Sequence, residues 1–189
     1  MTAKAPSSRR VRVLLADDHV LVRRALRQLL ESAGGVDVLA EVSDGPTAIA
    51  EAQRLCPDAV ILDIALPCLD GVQAAAAIRL LCPKTKVLLL SFDEDPVYVH
   101  RAMLAGAAGF VGKSRVDRWL IPALRRVLAG QTFFSLSGTY HTRKLPASAP
   151  SPSPSAPLGL RDSPRSTHAP FTTWLSRFWH RLRSARQLG

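Results

Sequence analysis

Five groups far apart in the chain are of types that can do chemistry together: the carboxylates Asp17, Asp18 and Asp63, the hydroxyl of Ser91 and the ammonium of Lys113. Each directly follows or closes an apolar run. Val11-Arg12-Val13-Leu14-Leu15-Ala16 leads into Asp17-Asp18, Ala59-Val60-Ile61-Leu62 into Asp63, Val87-Leu88-Leu89-Leu90 into Ser91, and Gly109-Phe110-Val111-Gly112 into Lys113. Runs this short read as strands buried on both faces, and in a parallel α/β sheet the carboxyl ends of strands open onto the crevice where ligands bind. Three carboxylates meeting there repel one another unless a cation intervenes. Mg²⁺ suits the site, because it takes oxygen ligands, keeps waters, and combines one or two carboxylates with a substrate phosphate. Lys113 adds a positive charge for a phosphoryl oxygen and Ser91 a hydroxyl donor. Such a set serves phosphoryl transfer, in which positioning and charge neutralisation do most of the catalysis. Taken singly the groups read more plainly: a strand-end aspartate caps the next helix, a serine closes a turn, a lysine is solvated, and Phe110 is core. Their shared position at strand ends sets the reading.

The elements that must position these groups alternate along the chain. Strands are expected at 11–16, 36–42, 59–63, 86–91 and 109–112. Leu21, Val22, Ala25, Leu26, Leu29 and Leu30 recur at helical spacing before Gly34-Gly35 stops the helix. Ser43-Asp44-Gly45-Pro46 turns into a second helix at about 47–55, closed before Pro57, and a third runs from about 69 to 81. Pro96 suits the first turn of a fourth helix, to about 105, and a fifth covers about 116–129 with Pro122 inside it, where a missing N–H is expected to bend it. Five βα units predict an α/β fold with a doubly wound, five-stranded parallel sheet covered by helices on both faces.

At these residues the chain resembles the receiver domain of bacterial two-component response regulators, and more closely the NarL/LuxR class. The likeness rests on Val13-Leu14-Leu15-Ala16-Asp17-Asp18-His19, Leu62-Asp63-Ile64-Ala65-Leu66-Pro67-Cys68-Leu69-Asp70-Gly71, Leu89-Leu90-Ser91 and Ala105-Gly106-Ala107-Ala108-Gly109-Phe110-Val111-Gly112-Lys113, and covers about residues 10–135. The resemblance implies a flavodoxin-like sheet of order 2-1-3-4-5. It implies that Asp63 is the phosphoacceptor, attacking a phosphohistidine on a sensor histidine kinase, in a signalling protein rather than a classic enzyme. Asp17, Asp18 and Asp63 would hold Mg²⁺ with the backbone carbonyl of Ala65, and Ser91 and Lys113 would bind the phosphoryl group. Ser91 and Phe110 match the switch pair that relays phosphorylation to the face of the fourth helix, fifth strand and fifth helix, where two copies could pair. Two departures stand out. Phe92 occupies a position that is small in many receivers, so its bulk is expected to restrict small phosphodonors and water, and Ser114 follows Lys113 where some receivers carry a cis-proline.

The chain has 189 residues, a net charge of +10 and 47% hydrophobic residues, which suit one domain with an extension. Its basicity is uneven: residues 1–138 hold 17 Lys/Arg against 14 Asp/Glu, and residues 139–189 hold 8 against 1. Residues 1–10 read as a loose lead-in and 11–135 as the receiver. Residues 146–170 contain seven prolines and six serines, so 136–170 reads as a disordered linker. Phe171, Trp174, Leu175, Phe178, Trp179 and Leu182 then form one apolar stripe among Arg177, His180, Arg181, Arg183 and Arg186, a basic amphipathic helix over 171–187. No helix-turn-helix output domain is recognisable. The alternatives are a DNA-binding regulator with a reduced output contact, and an adaptor that meets a membrane surface or partner through 171–187. A metabolic enzyme on this fold is disfavoured, since no Gly-rich phosphate loop follows the first strand. Without a membrane-length apolar segment or a signal-peptide core, a cytoplasmic protein is expected, and Cys56, Cys68 and Cys82 read as reduced thiols. The five histidines show no metal-ligand spacing.

Overall fold

The computed structural model describes residues 9–136 and 139–141. Apolar runs bounded by charged or turn residues become β1 (Val11–Ala16), β2 (Val36–Val42), β3 (Ala59–Asp63), β4 (Lys86–Ser91) and β5 (Gly109–Gly112), with the boundaries expected from sequence. They pair in parallel in the order β2-β1-β3-β4-β5. The sheet is wider than the five strands expected. A short strand, β6 (Phe133–Leu136), adds in parallel to β5, and β7 (Thr139–His141), inside the stretch read as linker, returns antiparallel to β6. Gly109 makes this edge available: a Cβ there would lie 2.7 Å from the Phe133 carbonyl oxygen and from Leu88 Cδ1.

The helices are α1 (Val20–Ser32), α2 (Gly45–Leu55), α3 (Gly71–Leu81), α4 (Pro96–Leu104) and α5 (Val116–Leu128). Asp44, Asp70 and Asp95 cap α2, α3 and α4, each carboxylate accepting a backbone N–H of the first turn at 2.8 Å. Those caps move the start of α2 two residues earlier than expected and that of α3 two residues later. Pro122 does not interrupt α5, because it lies on the exposed side of the helix, where water can serve the freed carbonyl.

Alternation along the strands divides the core. Leu14, Ala16, Val60, Leu62, Val87, Leu89 and Phe110 pack with α2, α3 and α4, while α1 and α5 bury Leu26, Leu30, Leu120 and Leu124 on the opposite face. The doubly wound sheet is thereby confirmed. No helix among the described residues is long and apolar enough to cross a membrane. The linker from residue 142 and the amphipathic segment 171–187, with the DNA and membrane contacts attached to them, lie outside the described residues.

One close approach fixes the strand that carries Asp63. The Gly71 N–H donates to the Ile64 carbonyl at 2.9 Å, and a Cβ on Gly71 would stand 2.0 Å from the Asp63 carbonyl oxygen. Backbone meeting backbone leaves nothing flexible to yield. Gly71→Ala is therefore expected to destabilise the fold by about 2–3 kcal/mol, the upper range for overpacking, seen as a lower urea midpoint at unchanged slope.

Candidate functional site

The sheet brings the expected residues to one edge. Asp17 follows β1, Asp63 ends β3, Ser91 ends β4 opposite Gly112, and Lys113 follows β5. Asp17, Asp63 and Lys113 are essentially closed to solvent, at 0%, 2% and 0% exposure. Lys113 Nζ lies 2.7 Å from Asp17 Oδ2 and 2.7 Å from Asp63 Oδ2. The two carboxylates are held alike: Asp17 Oδ1 accepts the His19 N–H at 2.9 Å, and Asp63 Oδ1 accepts the Ala65 N–H at 3.3 Å. Each side chain thus folds back on its own turn and presents its second oxygen to the ammonium. Asp17 Oδ2 and Asp63 Oδ2 are buried and face Lys113 Nζ at 2.7 Å, with no further hydrogen-bond partner among the described residues. They meet as charges, and one ammonium faces two carboxylates.

That imbalance appears in Asp17. Burial pushes its carboxyl above the ordinary value of 3.8, Lys113 pulls it back, and the nearby Asp63 carboxylate raises it again. Asp18, a third exposed on its side chain, adds another carboxylate, and the His19 ring Nδ1 lies 2.5 Å from Asp18 Oδ1. One ligand atom each from Asp17, Asp18, His19 and Asp63 falls within a 4.8 Å span. His19 thus joins a cluster to which spacing did not assign it. The carboxylate oxygens suit a hard divalent cation, and the Oδ2 atoms of Asp17 and Asp63 are buried acceptors with capacity to spare. The Ala65 residue is exposed at this edge. Arg23, which the sequence did not single out, braces the site from α1: its Nη1 donates to the Asp17 carbonyl at 2.5 Å, and its Nε lies 3.4 Å from Glu41 Oε2.

Ser91 is buried, and its Oγ accepts the Asp93 N–H at 3.0 Å, tying the hydroxyl to the loop between β4 and α4. The next residue, Phe92, lays its ring over Lys113, with Nζ 4.9 Å from the ring centroid. Glu94 crosses to the turn after β5, accepting from Ser114 Oγ and lying 3.8 Å from Arg115 Nη2. Phe110 is fully buried in the core, one strand from this loop.

A family model for the response regulator receiver domain matches residues 13–125. The response regulator GacA of Pseudomonas viridiflava is 32% identical over 125 residues, covering 66% of this chain and 58% of GacA. NarL of Mycobacterium tuberculosis (strain CDC 1551 / Oshkosh), whose name describes a transcriptional regulatory protein, is 34% identical over 147 residues, 75% of this chain and 68% of NarL. Among solved structures, the signal receiver domain of NarL from Mycobacterium tuberculosis superposes with a TM-score of 0.62 at 36% identity, covering 64% of this chain and 98% of that one. The chain spans 58% and 68% of the lengths of these two curated relatives.

The charge imbalance has a measurable sign. Because the Asp17 carboxyl is raised in the fold, the native state holds more protons than the unfolded chain above pH 3.8, so this group's contribution to stability falls as pH rises through the raised native value. In metal-free buffer Asp17→Asn, which leaves Lys113 paired with Asp63 alone, is expected to be more stable than wild type at neutral pH. Urea unfolding across pH should show the wild-type advantage at low pH disappearing in the variant.

Proposed function

The chain belongs to the response regulator receiver family, and from that membership we propose that Asp63 accepts a phosphoryl group from a phosphohistidine on a sensor histidine kinase. The observation that carries this reading is the buried Lys113 ammonium poised 2.7 Å from Asp63 Oδ2 and from Asp17 Oδ2. In the transfer, an Asp63 carboxylate oxygen forms a bond to phosphorus, the P–N bond to the donor imidazole breaks, and its electron pair returns to the ring nitrogen. Asp63 then becomes an acyl phosphate, and its negative charge moves outward onto the phosphoryl oxygens. Lys113 follows that charge, while Asp17 keeps its other side neutralised. Ser91 donates its hydroxyl to the phosphoryl group.

Asp17, Asp18 and Asp63, with the Ala65 carbonyl, are the groups we assign to Mg²⁺. When bound, the ion supplies positive charge that offsets the crowded carboxylates and the incoming phosphoryl oxygens. The spare oxygens of Asp17 and Asp63 and the raised Asp17 carboxyl support this assignment.

Output would begin at Ser91. Drawing its Oγ toward the phosphoryl group releases the Asp93 N–H, and the β4–α4 loop then takes a second arrangement that Phe110 senses from the core. We assign the receiving face to α4, β5 and α5, where Val97, Met103 and Leu104 of α4 are exposed, and where a second copy could pair. A cytoplasmic site of action fits this role. Regulation of transcription, which the relative NarL's name describes, would need an output segment beyond residue 141, and for this chain that role rests on sequence alone.

Intact-mass analysis after incubation with Mg²⁺ and either acetyl phosphate or a phosphorylated histidine kinase tests the proposal. One phosphoryl adduct is expected, lost with Asp63→Asn and lost in excess EDTA. Under the same conditions Mg²⁺ should raise the melting temperature more at pH 8 than at pH 5, since protons compete for the carboxylates. An adduct that persists in Asp63→Asn would place the acceptor elsewhere.

A further inference from the structure

Phe92 is a large apolar side chain left 43% exposed in an acidic loop, directly above a lysine with no exposure at all. An aromatic face over an ammonium is an attractive contact, and it strengthens as the cation is removed from water. The loop under the ring is held in a defined shape. Ser91 Oγ accepts the Asp93 N–H, Asp93 Oδ1 accepts the Asp95 N–H at 3.0 Å, and Asp95 Oδ1 accepts the Val97 N–H at 2.8 Å. Glu94 then ties the loop across to Ser114 and Arg115, on the turn that begins at Lys113 itself. Gly112 leaves this path open: a Cβ there would lie 2.2 Å from Glu94 Oε1, and the Glu94 side chain would have to shift.

We propose that Phe92 is a lid over the Lys113–Asp63 site and Glu94 its latch, keeping small phosphodonors and bulk water away from Asp63. The proposal rests on the reading of Asp63 as phosphoacceptor and adds what decides access to it. With the lid down, the ring sits where a phosphoryl oxygen must come to reach Nζ. Hydrolysis is slowed by the same cover, since water must approach phosphorus opposite the Asp63 oxygen that departs as carboxylate. A small donor has little binding energy with which to displace the ring. A protein donor has more: Val20 and Leu21, half exposed in the first turn of α1, add apolar surface to the same edge of the sheet, and burying that rim together with Phe92 can open the lid.

The test uses the full chain and its Phe92→Ala, Phe92→Leu and Glu94→Gln variants, with phosphoramidate as donor. Adduct formation and, after donor removal, adduct loss are followed by intact mass. In parallel, Lys113 acylation by acetic anhydride, which transfers an acetyl group to the amine and releases acetate, is followed by peptide mass spectrometry without any phosphodonor. Phe92→Ala is expected to speed formation, loss and acylation by about tenfold, the factor that a desolvated cation–π contact of this kind supports. Glu94→Gln should move all three in the same direction by less, and Phe92→Leu, which keeps bulk without the ring, should fall between. Urea midpoints show that the variants remain folded. Formation and loss rates within twofold of wild type in Phe92→Ala overturn the lid. If no chain forms an adduct while Lys113 acylation still rises in Phe92→Ala, the cover over Lys113 stands and the phosphoacceptor reading falls.

Discussion

One buried ammonium serving two buried carboxylates is the constraint on which the rest of this molecule depends. Charges in a site closed to water are costly unless matched, and Lys113 matches only one unit of the charge on Asp17 and Asp63. The fold supplies what is needed to keep this arrangement in place. Residues from three separate strands are fixed by the sheet register, each carboxylate is tied to its own turn, and Arg23 holds the Asp17 carbonyl from α1. Gly71 lets the start of α3 press against the backbone of Asp63. The site is therefore rigid in its atoms and unsettled in its charge. That combination favours a ligand that rebalances charge without moving the backbone.

The rigid part ends at Ser91. On one side of it the strands and their carboxylates have nowhere to go; on the other, the β4–α4 loop is held by a small set of polar contacts that can be exchanged. The Asp93 N–H has Ser91 Oγ as partner, and Glu94 has Ser114 and Arg115. These contacts join the loop after β4 to the turn after β5, so a change at Lys113 and a change at Ser91 act on the same segment. A two-state element needs alternative partners of similar worth, and hydrogen bonds at a partly exposed edge provide them more readily than a packed core.

Much of this was legible in the sequence because the strands are short, apolar and closed by charge. Val87-Leu88-Leu89-Leu90 followed by Ser91, or Ala59-Val60-Ile61-Leu62 followed by Asp63, gives both the element and the place where it opens. Helix starts were less legible, since the carboxylates of Asp44 and Asp70, and not the first apolar residue, decide where the turn begins. The two outer strands escaped notice for a different reason. Phe133-Phe134 is too brief to show a period, and the pairing of β6 is permitted by a glycine more than twenty residues earlier. Arg23, His19 and Glu94 have no signature of their own. Their parts in the site come from distances across the fold, to the Asp17 carbonyl, to Asp18 and to Ser114, which linear spacing does not encode.

Phe92 shows how a local departure acquires meaning from the constraint it sits on. As a sequence feature it is only a bulky residue after a serine. In the fold its ring lies over the Lys113 ammonium that the two carboxylates share, so the same atoms that neutralise Asp17 and Asp63 are also screened from solvent. Removing water from a charge cluster strengthens its internal attraction and raises the cost of leaving it unbalanced. A lid over an electrically incomplete site thus does two things at once: it limits who can reach Asp63, and it increases the energy released when a ligand of the right charge finally does. Access and affinity then meet at one side chain, because the ring that would bar the way to Asp63 is also the one that dries Lys113.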